Sequence, residues 1–395
     1  MSRKKLFIKD VIVNTGAFGI YMVAYHIIML PFLAKVLPVE TNSHFLLYIM
    51  IVSIYTLSTG NELGVLYQVR MGREPSHTVF NDIYHLLFRA NILLVIIFIP
   101  LLLILNFSLI NTVILTIAAV LSNIRLFLSS ILRQKKRFKS LLYCNLGYLL
   151  GVVLAVTLLL KNSTAYWLPL LLGELLSTVM TVFSERDFRQ RLKEKSSKYK
   201  AIRREGLDLI GASLLGNVPV YGDKILVLPF LGSYSMSAYY AGTSLSKALM
   251  LLVNPINGVL LSWLSSDRES DKRFIVKKIL NANVLIVVGL SIISYPMIYL
   301  ATYILYRQFL PTVLTIIIPL ALNSAFTTST TILKIVFLRY YKISSIKYFN
   351  LLKIVLFVAL TPVGVYFGGL LGFSYAILFS SIVMWLIYFL VMLKN

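Results

Sequence analysis

The sequence predicts an all-α polytopic membrane protein with about twelve transmembrane helices in two pseudo-symmetric six-helix lobes. Three observations carry this expectation. Of the 395 residues, 58% are hydrophobic and only 13% are charged, an excess that no soluble core requires. Apolar windows of about twenty residues recur along the chain, the length at which an internally hydrogen-bonded helix crosses a ~30 Å hydrocarbon layer. The one substantial polar stretch, "SERDFRQRLKEKSSKYKAIRREG" at 184–206, divides these windows six and six.

The first six windows fall at 11–34, 43–66, 84–105, 109–132, 141–160 and 165–184. They resume at 207–232, 236–264, 279–304, 309–333, 347–367 and 370–393. The expected organisation is an N-terminal lobe at 1–184, a basic cytoplasmic linker at 185–206 and a C-terminal lobe at 207–395. The linker reads as a solvated loop. A helix lying on anionic headgroups, where each basic residue adds ~1 kcal/mol, is the sharper reading, and both stay open.

A net charge of +23 would suggest a nucleic-acid partner in a soluble protein, but its placement excludes that. Lysines and arginines cluster at every second junction: "SRKK" at 2–5, Arg70 and Arg73, "RQKKRFK" at 133–139, then 186–204, 268–278 and 339–347. The alternate junctions carry only Lys35, Lys161 and Arg307. The positive-inside rule then places both termini and all basic loops in the cytoplasm, with an even number of spans. The basic start lacks a small-residue cleavage pattern after its apolar segment, so the first helix is expected to be retained. The single cysteine, Cys144, lies inside a window and reads as a packing residue.

An internal echo supports the two-lobe organisation. "LPFLA" at 30–34 nearly repeats "LPFLG" at 228–232, an offset close to half of the chain. Two six-helix halves entering the membrane from the same side would form a parallel repeat about an axis along the membrane normal. The same offset pairs Tyr25 with Asp223 and His26 with Lys224, which would set all four facing a central cleft.

Ionised groups deep in a span cost about 2.5–3.5 kcal/mol each, so they usually face a cavity or a partner. Lys224 lies about eight residues from the outer end of its window, ~12 Å deep, where snorkelling is strained. Lys247 falls near mid-membrane by the same arithmetic, and Arg125 in the inner third of the fourth span. Arg89, Lys334 and Lys353 sit within about two turns of a helix end, where snorkelling explains them as well as function does. Asn217, Tyr221 and Lys224 form one helical stripe, and Thr243, Lys247 and Asn254 another. Polar side chains of this kind also serve as glue between helices. Asp223 projects about 100° away from Lys224 on an ideal helix, which leaves it free to pair with another helix or to take up a coupling proton. Glu174, near the middle of the sixth span, is either an ion-coupling acid or half of a buried pair. Pro219 and Pro229 bracket Asp223 and Lys224 and predict a bent or interrupted helix, and Pro31 and Pro255 predict similar kinks.

No catalytic constellation is present: no phosphate-binding P-loop, no dinucleotide glycine fingerprint, no H-E-x-x-H and no G-x-S-x-G. His26, His44, His77 and His85 lack metal-ligand spacing, so no metal or other cofactor is expected. Without an ATP motif, pumping would draw on an ion gradient, a membrane potential or a substrate gradient. The outer loops are shorter than about fifteen residues, too small for an external catalytic domain. A transporter, and not an enzyme, is the expectation that remains.

The stretch "YGDKILVLPFLGSYSMSAYYAGTSLSKALMLLVNPINGVLLSWLS" at 221–265 resembles the polysaccharide repeat-unit (Wzx-type) flippases of the multidrug, oligosaccharidyl-lipid and polysaccharide exporter superfamily. The shared pattern is an Asp followed by a base, an apolar run ending in Leu-Gly, a Tyr, then a helix ending near Asn-Pro-Ile. "LPFLAKVLP" at 30–38 resembles the end of that family's first helix. The resemblance implies two six-helix lobes around a cleft that opens alternately to each side of a bacterial cytoplasmic membrane. It also implies a cargo, an oligosaccharide repeat unit on undecaprenyl pyrophosphate, moved from the inner to the outer leaflet for surface polysaccharide synthesis. Membrane lipids, a glycan polymerase and chain-length machinery are the further partners it suggests. Lys224, Lys247 and Arg125 would then take the diphosphate, while Tyr25, His26, Tyr221, Asn217 and Asn254 line the cleft and offer hydrogen bonds to sugar. Asp223 and Glu174 would serve ion coupling. Lys224 stands where many relatives have Arg, which replaces a bidentate fork with a point charge. A multidrug or cation antiporter of the same superfamily is the nearest alternative, and its cleft should be rich in acids. A membrane glycan polymerase is the alternative from another class.

Overall fold

In the computed structural model the described residues are 3–73, 77–160, 165–184, 196–244, 272–340 and 344–394, and among them there is no strand. Helix α1 covers 3–36, with a π-helical stretch, Val23–Met29, between α-helical Arg3–Met22 and Leu30–Val36. The widened turn lies just ahead of Pro31, whose ring removes a backbone donor and crowds the preceding turn. Helix α2 covers 39–73 and has its own π turn at Leu57–Asn61. Then come α3 (His77–Ile104), α4 (Leu109–Gln134), α5 (Phe138–Leu159) and α6 (Leu168–Ser184).

Two long helices in the second half are each broken by glycine. Tyr199–Thr243 breaks at Gly232, whose φ of 79° and ψ of 178° belong to a region that side chains with a Cβ avoid. The break gives α7 (199–231) and α8 (233–243). Ser344–Lys394 breaks at Gly368 and Gly369, giving α11 (344–367) and α12 (370–394). Between them lie α9 (Lys272–Leu305) and α10 (Leu310–Tyr340). Among the described residues nine helices are long and apolar enough to cross a membrane; with the shorter Leu168–Ser184 and the two glycine breaks they fall on the twelve predicted segments, of which the eighth, 236–264, is described only as far as residue 244. Pro219 and Pro229 do not interrupt the seventh helix as expected; both lie inside it, and the chain breaks at Gly232 instead. Large apolar side chains point outward, Leu285 at 73% and Ile292 at 68% exposure, which suits hydrocarbon and not water. The chain is a polytopic helical membrane protein.

Two compact units are present, Met1–Asn217 and Val218–Asn395. In the first, α2, α3 and α4 pack through Leu63, Leu66, Tyr67, Ile83, Phe127 and Ile131, and Ile202 from α7 is buried in the same cluster. The start of α7 is tied down by polar contacts as well. Asp82 Oδ1 accepts the Ser196 amide at 2.9 Å, and its other oxygen accepts the Ser196 hydroxyl. Arg70 donates to both oxygens of Glu205, at 2.9 and 2.5 Å. The polar stretch 184–206 therefore does not mark where the first unit ends, since residues as far as Asn217 belong to it. In the second unit Asn283 holds three helices together: its Oδ1 accepts from Ser329 Oγ at 2.6 Å and from Trp385 Nε1 at 2.7 Å. Leu280, Val336, Phe337 and Tyr388 close the apolar cluster around that junction.

Candidate functional site

The second unit contains a cavity of about 80 Å³ where α7, α8, α10, α11 and α12 converge. Helical spacing puts its lining on single faces. Asn323 and Thr327 stand at i and i+4 on α10, as do Ile377 and Ser381 on α12 and Lys353 and Phe357 on α11. Helix α7 contributes Asp223 and Lys224, and α8 contributes Thr243. The walls thus combine six hydroxyls and one amide with two bases, one acid and the apolar Pro219, Val220, Phe357 and Ile377.

Asp223 is buried and fully engaged. Its Oδ1 accepts the Lys224 backbone amide at 2.8 Å, both oxygens stand 3.1 Å from Lys224 Nζ, and Oδ2 accepts the Tyr239 hydroxyl at 3.1 Å. Neighbours about 100° apart on an ideal helix need not pair, yet these two do. The four-carbon stem of Lys224 folds back to reach both oxygens of Asp223, whose Oδ1 also accepts the Lys224 amide. Lys353 differs. It is half-buried, and among the described residues it has neither an ion pair nor a hydrogen bond.

A second charged cluster lies inside the first unit. Arg125 on α4 meets Glu174 on α6 in a bidentate pair, Nε to Oε2 at 2.6 Å and Nη2 to Oε1 at 3.0 Å. Both side chains are almost wholly buried, and the guanidinium lies 4.6 Å from the Tyr21 ring and 5.4 Å from the Tyr148 ring. Tyr25 stacks on Tyr21 at 5.6 Å, and His26 meets Tyr25 edge-on at 4.9 Å. Of the two readings of Glu174, the paired one is what the geometry contains. Its partner Arg125 has its fork filled by a carboxylate.

The candidate residues thus separate into two groups. Arg125, Glu174, Tyr25 and His26 are linked through Tyr21 in the first unit, where Asn217 also donates to Ser58 Oγ at 3.0 Å and Ser213 Oγ at 3.1 Å. Asp223 and Lys224 line the cavity of the second unit; Tyr221, on the same stripe, does not. Lys247 and Asn254 lie outside the described residues, as does Pro255. The sequence reading leaves out Lys353, Asn323 and Ser381 as site residues. Lys353 had a signal, a basic residue within an apolar window, which snorkelling explains as well as function does.

No protein-family model matches the sequence, and no curated protein matches it. Solved structures do match. A multidrug resistance MATE family transporter of the MOP superfamily, in an inward-facing conformation, superposes with a TM-score of 0.68 at 13% identity, over 96% of this chain and 97% of that one. Lipid II flippase MurJ, inward closed, gives 0.72 at 14% identity, over 99% of this chain and 87% of that one. A MOP superfamily transporter from Pyrococcus furiosus, described as having a binding pocket of reversed polarity, gives 0.64 at 14% identity, over 100% and 97%.

The chain has the fold of the MATE and MurJ proteins. At such identities the fold is what is shared, and the chemistry must come from this chain's own residues. In the second unit those residues offer an excess of positive charge and a ring of hydroxyls inside a membrane-embedded bundle. That set suits an anion or a hydroxyl-rich molecule better than a cation. Among the described residues no three His, Cys, Asp or Glu side chains converge as metal ligands.

Proposed function

We propose that the chain is a flippase that moves oligosaccharide repeat units linked to undecaprenyl pyrophosphate from the inner to the outer leaflet of a bacterial cytoplasmic membrane. It works by alternating access and draws on an ion gradient or the membrane potential. The observation that carries this reading is the cavity of the second unit, where two lysines face one carboxylate among Ser, Thr and Asn side chains. A pyrophosphate and its sugars cannot enter hydrocarbon unaided, and fixed cations with hydroxyls can replace part of their hydration. A cation antiporter asks for the opposite balance, with acids in excess. The fold shared with a lipid II flippase supports the same reading.

The test is translocation. Purified protein in vesicles is expected to move a short-chain lipid-pyrophosphate glycan across the bilayer. In cells, Lys224→Ala and Lys353→Ala should each trap lipid-linked repeat units on the inner face, with export reduced about tenfold or more, which corresponds to roughly 1.4 kcal/mol. Export unchanged with both lysines replaced removes them from the site. Cation efflux without glycan movement decides for the antiporter, and repeat units that reach the outer face but stay unpolymerised decide for a polymerase.

A further inference from the structure

We infer that the cavity in the second unit is an oxyanion subsite, in which Lys353 is the contacting cation and the Asp223–Lys224 pair is its fixed wall. The charge arrangement comes first. Three donor groups around Asp223 make four hydrogen bonds to it: the Lys224 ammonium, the Lys224 amide and the Tyr239 hydroxyl. A metal cation would have to displace a lysine to reach that carboxylate. Lys353 lines the same cavity from α11 and brings an ammonium that no described carboxylate or carbonyl holds. The cavity therefore carries one positive charge more than it balances.

An unbalanced ammonium within a span is costly, on the order of 2.5–3.5 kcal/mol on insertion scales. Lys353 opens on the cavity, and the cavity lining does not neutralise that cost. A ligand of opposite charge does relieve it. The neighbouring amide is oriented to help: Asn323 Oδ1 accepts from Ser381 Oγ at 2.7 Å and from Thr327 Oγ1 at 3.4 Å, which leaves the Asn323 amide hydrogens as donors. Lys353 and Asn323 are only half-buried, so both can meet an incoming group.

Size limits the ligand. At about 10–15 Å³ per water, a cavity of about 80 Å³ holds roughly half a dozen waters, or one phosphate-sized group. A sugar chain or a lipid tail would extend beyond it. The subsite thus takes the charged end of a larger molecule, and naming that end as the cargo's diphosphate rests on the flippase reading above.

The assignment is tested on the purified full-length protein in lipid nanodiscs by calorimetric titration with inorganic pyrophosphate at constant ionic strength. Wild type is expected to bind, Lys353→Gln to bind at least about tenfold more weakly, and Lys353→Arg to retain binding. Thermal unfolding of Lys353→Gln is expected at or above the wild-type temperature, because the change removes an unbalanced charge. The site is overturned by absence of pyrophosphate binding to wild type, by equal binding to Lys353→Gln, or by a lower unfolding temperature that reveals Lys353 as a structural partner. Sodium binding that Asp223→Asn abolishes would also overturn it, in favour of a cation site. Pyrophosphate binding that depends on Lys353, in a protein that fails to move the lipid-linked glycan, upholds the subsite and retires the flippase reading alone.

Discussion

Glu174→Leu is expected to destabilise the first unit by about 3–5 kcal/mol, the usual cost of leaving one partner of a buried ion pair alone. Arg125 would keep its contacts with the Tyr21 and Tyr148 rings, but these satisfy a planar cation only weakly compared with two charge-assisted hydrogen bonds. Arg125→Leu should cost a similar amount, because it strands the carboxylate. The double variant Arg125→Met with Glu174→Leu is expected to recover most of the loss, since both desolvated charges leave together. Unfolding of the purified protein in detergent, with yield from the membrane as a second readout, separates these outcomes. A Glu174→Leu protein within about 1 kcal/mol of wild type would show that the pair contributes little. A double variant with lost transport but full stability would move the pair from structure to function.

Gly372→Ala and Gly364→Ala are expected to force α11 and α12 apart. A Cβ on Gly372 would stand 2.0 Å from the Gly364 carbonyl oxygen, and one on Gly364 would stand 2.5 Å from the Gly372 oxygen and 2.9 Å from Ala376 Cβ. Backbone meets backbone there, so no side chain can yield, and the cost should reach or exceed the roughly 1–3 kcal/mol of ordinary overpacking. Small residues at helix contacts in membranes serve this close approach. The turn between the two helices adds its own constraint, with Gly369 at φ 53° and ψ −129°. Gly289→Ala, where nothing lies within 4 Å, is the control and should be neutral or slightly stabilising. If Gly372→Ala unfolds like Gly289→Ala, the close approach of these helices is wrong.

Much of the fold was legible because a bilayer imposes a length and a polarity on every span. The windows 207–232 and 347–367 end, and 370–393 begins, within a few residues of the breaks at Gly232 and Gly368–Gly369, since the apolar run and the helix respond to the same constraint. Of the two outcomes expected at Pro219 and Pro229, a bend or an interruption, the interruption does not occur. A missing donor at Pro219 or Pro229 is tolerated inside a bundle, whereas a positive φ at Gly232 turns the chain outright. The site was legible only by residue type. Depth alone singled out Arg125 and Glu174, yet they stand 49 positions apart on different helices, and no local pattern says that they meet. Asp223 and Lys224 posed the reverse difficulty, because helical projection describes Cβ directions and not the reach of a flexible stem. Lys353 stays open between snorkelling and function in the sequence, because only the packing of α11 against its neighbours shows that it lines the cavity.

The docking of residues 196–217 on the first unit, through Asp82, Arg70 and the cluster around Ile202, has a bearing on how the gene could be divided. A chain interrupted between 185 and 195 and produced as two pieces would leave those residues on the second piece while their binding surface stayed on the first. The pieces would then carry a built-in means of finding each other, part apolar and part ionic. Copurification of the two, weakened by Asp82→Ala and Arg70→Ala together, would reveal it.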